Sequence, residues 1–478
     1  MSTTGATPPD DPDEVVAPTL TDPFARSMSE VVGGPVGRHG RPHSWWVPVR
    51  VLLALFAVVF ALALVQHEPC LRTNWSSDQA RYGKACYSDI PYLYTGRGFA
   101  EGLWPYADNG GRYEAMEYPV GISYLAWMAA KVTQVNPAGP PSAERRSVAP
   151  DAMWSLPGMT VEVNNYFLVT ALFLCAFGLL ATWFLAGVHP RRPWDALPFV
   201  LSPCLLLTSL INWDLLAVAL VAGALWAWAR DRPVLTGVLI GLGTAAKLYP
   251  LFLLGPILVV AWRRGRLGAF GAAAGSAVAA WLVVNLPAWL TGRDDWMVFW
   301  RFNSERGADL GSVWLALTHR GYSFTSGTIN AWSWALFGAV CVAVALLGLR
   351  ARRTPRVAQL AFLVVAGFLL VNKVYSPQYV LWLLPLAVLA RPRWRDLLIW
   401  QAGELLYLMA VWTYLGGWLD EASGGGARVY DLAIWVRVAA ELYLVAVVVR
   451  DVLRPERDPV AREEVSTVRE RSSEVRVS

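Results

Sequence analysis

Charge and metal-binding side chains are what this sequence has little of. Asp, Glu, Lys and Arg make up 16% of its 478 residues, against 55% apolar residues, which excludes an ordinary soluble domain. The five His and five Cys are scattered, with no CxxC and no Cys/His ligand spacing, which argues against a zinc site. No DxD motif with a nucleotide-binding domain is visible. No cleavable signal peptide is expected either, because residues 1–44 are too long and too polar for an n-region. A net charge of +5 is modest, and its arginines fall in short patches between apolar runs rather than forming a nucleic-acid surface.

What is there is a series of apolar runs and 25 Trp. Runs of about 20 apolar residues are long enough to cross a bilayer core. They do not alternate as barrel strands do, so the chain reads as an all-α polytopic membrane protein. Arg38, Arg41 and Arg50 flank the first run, Trp45–Val65, and Arg191 and Arg192 end the run Tyr166–Val188. The positive-inside bias then places the N-terminus in the cytoplasm and residues 67–163 outside, as a long first extracytoplasmic loop with interfacial helices. Within that loop, Val120–Val132 is apolar but short, and reads as an interfacial helix or a short span; residues 136–160 read as an insertion.

Two further runs, Trp194–Leu210 and Leu215–Trp228, rise and return around Asn212-Trp213-Asp214. The segment Val234–Trp262 is long enough for one crossing. Basic residues flank both of its ends, however, and Lys247-Leu248-Tyr249-Pro250 interrupts it. A re-entrant pair of half-helices keeps every later basic loop inside. Leu267–Leu290, a second large outer loop at 291–330, Ala331–Leu349, Ala358–Val371, Val380–Leu389, Leu397–Leu415 and Leu432–Val449 complete about ten full spans plus the re-entrant pair, with both termini inside. Residues 1–44 and 454–478 read as disordered cytoplasmic tails around a transmembrane domain at 45–453. Cys175, Cys204 and Cys341 lie in apolar runs as packing residues; Cys70 and Cys86 share the first outer loop, where a disulfide is one of two open outcomes.

This threading gathers Asp89, Glu117, Asp214, Arg301, Arg306 and Lys373 on the outer side. Most outer-loop charges need no explanation beyond solvation. Asp89, Asp214, Lys247, Lys373 and Glu404 sit against apolar runs, where a charge is costly and points to function.

The chain resembles a GT-C membrane glycosyltransferase, most closely glycosyltransferase family 87. The resemblance rests on Tyr87-Ser88-Asp89-Ile90, Arg97-Gly98, Pro105-Tyr106, Glu117-Tyr118-Pro119, Asn212-x-Asp214, Gly237-x6-Thr244-x2-Lys247-x-Tyr249-Pro250 and Asn372-Lys373-x2-Ser376-Pro377-Gln378-Tyr379-x2-Trp382-x2-Pro385. It implies a polyprenyl-phosphate sugar donor and an outward-facing reaction in which an acidic residue of the first outer loop serves the acceptor. Asp89 matches that position. An inverting transfer needs a base for the acceptor proton. The bland reading of Asp89 is an N-cap before Ile90-Pro91, and that of Glu117, the second catalytic candidate, is helix-dipole stabilisation.

A departing lipid phosphate needs cations, for which Lys373, Arg301, Arg306 and Lys247 are the candidates. The bland reading of Lys373 is a snorkelling side chain. Arg97, Tyr118, Asp214, Asn372, Gln378 and Tyr379 are candidate substrate-binding residues, although tyrosines also gather in interfacial belts. No cofactor is required; a divalent metal on Asp89 with Asp214 or Glu117 is conceivable and not expected.

The expected activity is transfer of a sugar, mannose first and arabinofuranose second, to a glycolipid or cell-envelope glycan at the plasma membrane. The partners are the donor, the acceptor and the bilayer, with no nucleic acid. The rival class is a transporter or flippase of a lipid-linked saccharide, against which stands the lack of a repeat between halves.

Overall fold

The computed structural model describes residues 15–32, 44–419 and 426–461, and all regular structure among them is helical. Five helical stretches are long and apolar enough to cross a membrane: Pro48–Arg72, Met159–Val188, Leu267–Thr291, Ser326–Arg350 and Ala427–Leu453. Shorter apolar helices fill the bundle between them: Asp214–Ala229, Pro233–Ala246, Tyr249–Arg263, Val357–Val371 and Pro377–Ala390. Trp394–Leu415 adds a longer, more polar helix.

One expected span is broken. The run 194–210 forms three short pieces, Pro193–Ala196, Leu197–Val200 and Pro203–Thr208. Pro198 and Pro203 each lack the N–H that would carry a helix through, so both are accommodated at helix starts.

The segment 234–262 breaks where its sequence indicates. Helix Pro233–Ala246 stops at Lys247, and Leu254–Arg263 follows a tight turn at Tyr249–Leu253. The segment returns to the end at which it starts, where Arg266 Nη1 lies 2.5 Å from Asp231 Oδ1. Helix 233–246 then runs parallel to helix 267–291. Ser276 Oγ donates to the Val234 carbonyl at 3.0 Å, and Gly237 and Gly241 face Ala273 and Ala277 in register. A Cβ on Gly237 would sit 2.0 Å from the Ala273 carbonyl oxygen, so the two backbones approach as small residues allow in membrane bundles.

The bundle has two chemically distinct ends. At one, arginines tie helix ends together: Arg230 to the Gly187 carbonyl at 2.7 Å, Arg263 to Gly348 and Ala351, Arg356 to Asp458, and Arg391 to Asp396 and Asp451. At the other lie residues 67–158, the Lys247 turn, the 292–325 connection and the Asn372–Tyr379 turn. Here Cys70 and Cys86 form a disulfide, with Cα atoms 5.9 Å apart. Val120–Thr133 is a helix that packs at this end against helices 159–188, 233–246 and 267–291, with Tyr124 donating to the Val284 carbonyl at 3.1 Å.

Two sequence expectations need correction. The N-terminal segment is not all tail: Pro18–Thr21 and Pro23–Val32 are helical, because Asp22 caps the second helix through Phe24 N at 2.9 Å and Ala25 N at 3.1 Å. Residues 454–461 are likewise structured, since Asp458 accepts from Arg356 and Gln359. The rest of both expected tails, 1–14, 33–43 and 462–478, lies outside the described residues. The 136–160 stretch is pinned by a buried ion pair, Arg145 Nη1 to Glu162 Oε1 at 2.6 Å.

Candidate active site

A cavity of about 620 Å³ opens at the disulfide-bearing end. That volume is in the range of a small-molecule site. Its polar lining includes residues from six separate stretches of chain: Asp89 with Tyr87, Glu117 with Tyr118, Asn212, Lys247, Arg306, and Lys373 with Asn372, Gln378 and Tyr379. Asp89 and Lys373 therefore line one cavity.

Asp89 begins the helix Ile90–Gly96, yet its side chain makes no capping hydrogen bond. Both carboxylate oxygens face tyrosines instead. Tyr87 donates to Oδ1 at 2.9 Å and Tyr118 to Oδ2 at 3.1 Å. The capping explanation is thereby removed, and the carboxylate is held by two neutral donors beside the cavity. Burial pushes its pKa above the usual carboxylate range; the two hydroxyls oppose that, nearby Glu117 adds to it and Lys247 counters it. Tyr87 and Tyr118 are pushed up in turn by burial and by the charge of Asp89, so they remain donors.

Glu117 lines the cavity but is engaged by Arg97, whose Nη2 lies 2.9 Å away. Arg97 also reaches Glu114 at 3.8 Å and does not line the cavity. Its place is behind Glu117, as a fixed counter-charge.

Lys247 is buried at the helix break, with Nζ 3.3 Å from Asp214 Oδ1 and 4.7 Å from the centre of the Tyr118 ring. Asp214 itself does not line the cavity. Its Oδ1 also accepts from Trp382 Nε1 at 2.6 Å, so it orients Lys247 and the indole together. That indole is stacked between Tyr379 and Tyr249, at 3.9 and 4.7 Å between ring centres.

Lys373 donates to three acceptors: the Asn303 carbonyl at 2.5 Å, the Arg306 carbonyl at 2.7 Å and Asn330 Oδ1 at 2.6 Å. An ammonium has three N–H groups, and these contacts use them all. Lys373 thus holds the C-terminal end of helix Arg293–Glu305, which walls the cavity with Phe299, Trp300 and Phe302. Burial and nearby Arg306 push the Lys373 pKa down. Arg306 is braced by Asp309 through Nε at 2.6 Å and Nη2 at 2.5 Å, which leaves its Nη1 outside that pair. Arg301 is exposed, bonds the Asp294 carbonyl at 2.8 Å and stays outside the cavity lining.

The two cation-bearing loops are cross-braced. Asp309 N donates to the Lys373 carbonyl at 2.9 Å and Tyr375 N to the Leu310 carbonyl at 2.8 Å. Buried Arg437 donates to the Gly311 carbonyl at 2.8 Å, with its guanidinium 3.5 Å over the Tyr375 ring. Sequence reasoning missed Asn303, Asn330, Arg437 and the Tyr87 contact. Only Tyr87 carried a signal, lying two residues from Asp89 in a turn. Among the described residues, no group of three or more His, Cys, Asp or Glu could hold a metal ion.

The apolar helical bundle holds a carboxylate and several cations in a single cavity at one end, an arrangement suited to group transfer. Residues 153–372 match the family model of glycosyltransferase family 87. Just under half of the chain is thus similar to a family of glycosyltransferases. The match takes in Asp214, Lys247, Arg306 and Asn372; Asp89 and Glu117 precede it, and Lys373 follows its last residue. A search of curated proteins finds no match to the chain.

Proposed function

We propose that the protein transfers mannose, with arabinofuranose the second choice, from a polyprenyl phosphate to a glycolipid or cell-envelope glycan at the extracytoplasmic face of the plasma membrane. Asp89 takes the acceptor hydroxyl proton as the acceptor oxygen bonds to the anomeric carbon. The bond from that carbon to the phosphate oxygen breaks on the opposite face, inverting the centre, so a β-linked donor gives an α-linked product. The polyprenyl phosphate leaves with the bonding electrons, stabilised by Lys247 and Arg306 and by the field of Lys373. The observation that carries this reading is the shared cavity of Asp89 with Lys247, Arg306 and Lys373.

The donor class and the sugar rest on the family resemblance. The side of the membrane is supported by two features. The cavity lies at the end that bears the Cys70–Cys86 disulfide, which favours an oxidising compartment, and the arginine-rich end lies opposite.

The test supplies labelled polyprenyl-phosphate mannose and arabinofuranose to proteoliposomes carrying wild type or Asp89→Asn. The wild type is expected to form a new glycosidic bond, and the variant to lose about 10²-fold or more of the rate, the scale of a positioned base. Movement of lipid-linked sugar across the bilayer without bond formation, or full activity in the variant, overturns the proposal.

A further inference from the structure

The N-terminal helix Pro23–Val32 is fixed to the arginine-rich end of the bundle yet leaves its apolar face uncovered. Its anchor is Asp22, which is buried, caps the helix and accepts from Trp394 N at 3.2 Å. Arg393 donates to the Thr21 carbonyl and lies 3.8 Å from Asp22. Upstream, Val16 N donates to the Arg191 carbonyl at 2.9 Å. The helix therefore sits at the foot of helix 394–415, at a level set by backbone contacts.

At 100° per residue, Phe24, Met28 and Val31 lie on one stripe, and they are 40%, 49% and 82% exposed. Ser29 is buried on the flank that meets the bundle. Arg26, Ser27 and Glu30 occupy the remaining arc. The order around the axis is apolar stripe, protein contact, polar arc. A helix lying flat beside a membrane bundle has this order: apolar face toward the acyl chains, flank on the protein, charges toward water.

The surroundings say what covers the stripe. Helix 394–415 carries its own exposed apolar row, Ile399, Leu406 and Met409, starting about one turn above the contact with Asp22. Trp45 and Trp46, both more than half exposed, sit at the start of helix 48–66 at this same end, with the Arg50 guanidinium 4.0 Å from the Trp45 ring centre. Tryptophans paired with arginine at a helix end mark the headgroup level of a bilayer.

We propose that Pro23–Val32 is an in-plane anchor that inserts Phe24, Met28 and Val31 into the lipid surface at the arginine-rich end. The helix is joined to the bundle through Asp22, so its insertion fixes the foot of helix 394–415 relative to the lipid surface. A segment that reads in sequence as an unstructured tail becomes part of the membrane-facing surface.

Site-directed spin labelling of the full chain tests this. Cys175, Cys204 and Cys341 are replaced by Ala, leaving the disulfide intact. Single cysteines are introduced as Phe24→Cys, Met28→Cys and Val31→Cys, and on the polar arc as Ser27→Cys and Glu30→Cys, all at exposed positions. The labelled protein is placed in nanodiscs of phosphatidylcholine and phosphatidylglycerol. Labels at 24, 28 and 31 are expected to collide several-fold more with oxygen than with a water-soluble nickel chelate, and labels at 27 and 30 the reverse. Equal nickel access on both faces means the stripe is in water and overturns the proposal. Exclusion of both probes from 24, 28 and 31 means protein covers the stripe, a second copy for instance, and overturns it equally. A water-soluble maleimide supplies the second readout: slow at 24, 28 and 31, fast at 27 and 30.

Discussion

Tyr118 donates its hydroxyl to Oδ2 of Asp89 at 3.1 Å, while the ammonium of Lys247 stands 4.7 Å over the centre of the same ring. One tyrosine thus links the candidate base to a candidate phosphate cation. It also takes a weak hydrogen bond from Asn212 Nδ2 at 3.5 Å.

The tyrosine contacts predict a direction of pH change. A base works only when deprotonated, so the rate falls as pH drops through the pKa of Asp89. Burial raises that pKa, and the hydroxyls of Tyr87 and Tyr118 hold it down. Tyr118→Phe or Tyr87→Phe removes one such donor, so the acid limb of the pH–rate profile moves to higher pH. A limb that stays in place or moves to lower pH contradicts the assignment of Asp89 as the base.

The Lys247–Asp214 pair predicts non-additivity. Lys247→Met leaves a buried carboxylate with the Trp382 N–H and no counter-charge, a loss of about 3–5 kcal/mol for a broken buried pair. Lys247→Met with Asp214→Asn removes both charges and is expected to recover much of the thermal stability in detergent, but not the affinity for the donor. A loss in the double variant equal to the sum of the losses of Lys247→Met and Asp214→Asn alone would show that the two groups are not coupled.

Gly311 is a packing requirement of the cation loops. Its φ is +70°, and an added Cβ would lie 2.1 Å from the Tyr407 hydroxyl and 2.4 Å from the Tyr375 carbonyl oxygen. Gly311→Ala is expected to cost about 1–3 kcal/mol or more and to raise KM for the donor, because Arg306 and Lys373 sit on the two loops that separate. Unchanged melting temperature and KM would remove the bracing role.

The disulfide closes a loop between positions 16 residues apart. Cys70→Ser, or reduction of the wild type, is expected to destabilise the first outer loop by about 3 kcal/mol on the chain-entropy model. Calorimetry with and without reductant measures it, and a mobility shift on non-reducing gels checks that the bond forms in cells.

The polar residues of the site were legible one by one because each breaks an apolar context. Asp89, Lys247 and Lys373 stand out in a chain this hydrophobic, and the turn at Lys247–Pro250 was visible as a proline-marked interruption. The wall that Lys373 holds was not legible. Its partners are two backbone carbonyls and Asn330, and a carbonyl has no sequence signature. Arg301 shows the converse error: its outer-loop position suggested a phosphate ligand, yet helix 293–305 turns it away onto the Asp294 carbonyl. The expected span at 194–210 failed because hydropathy outweighed two prolines that the run itself contained.

The sequence by itself determined an all-helical apolar chain, the break in 234–262 and the identity of the carboxylate and lysines, because hydrophobicity, proline geometry and the cost of buried charge act locally. Only the tertiary structure decided which of those groups meet. It turned Asp89 from a helix cap toward Tyr87 and Tyr118, set Asp214 behind Lys247, and used up the donors of Lys373 on the cavity wall. Those outcomes depend on which helix ends are brought side by side, and that is fixed by packing across the whole bundle.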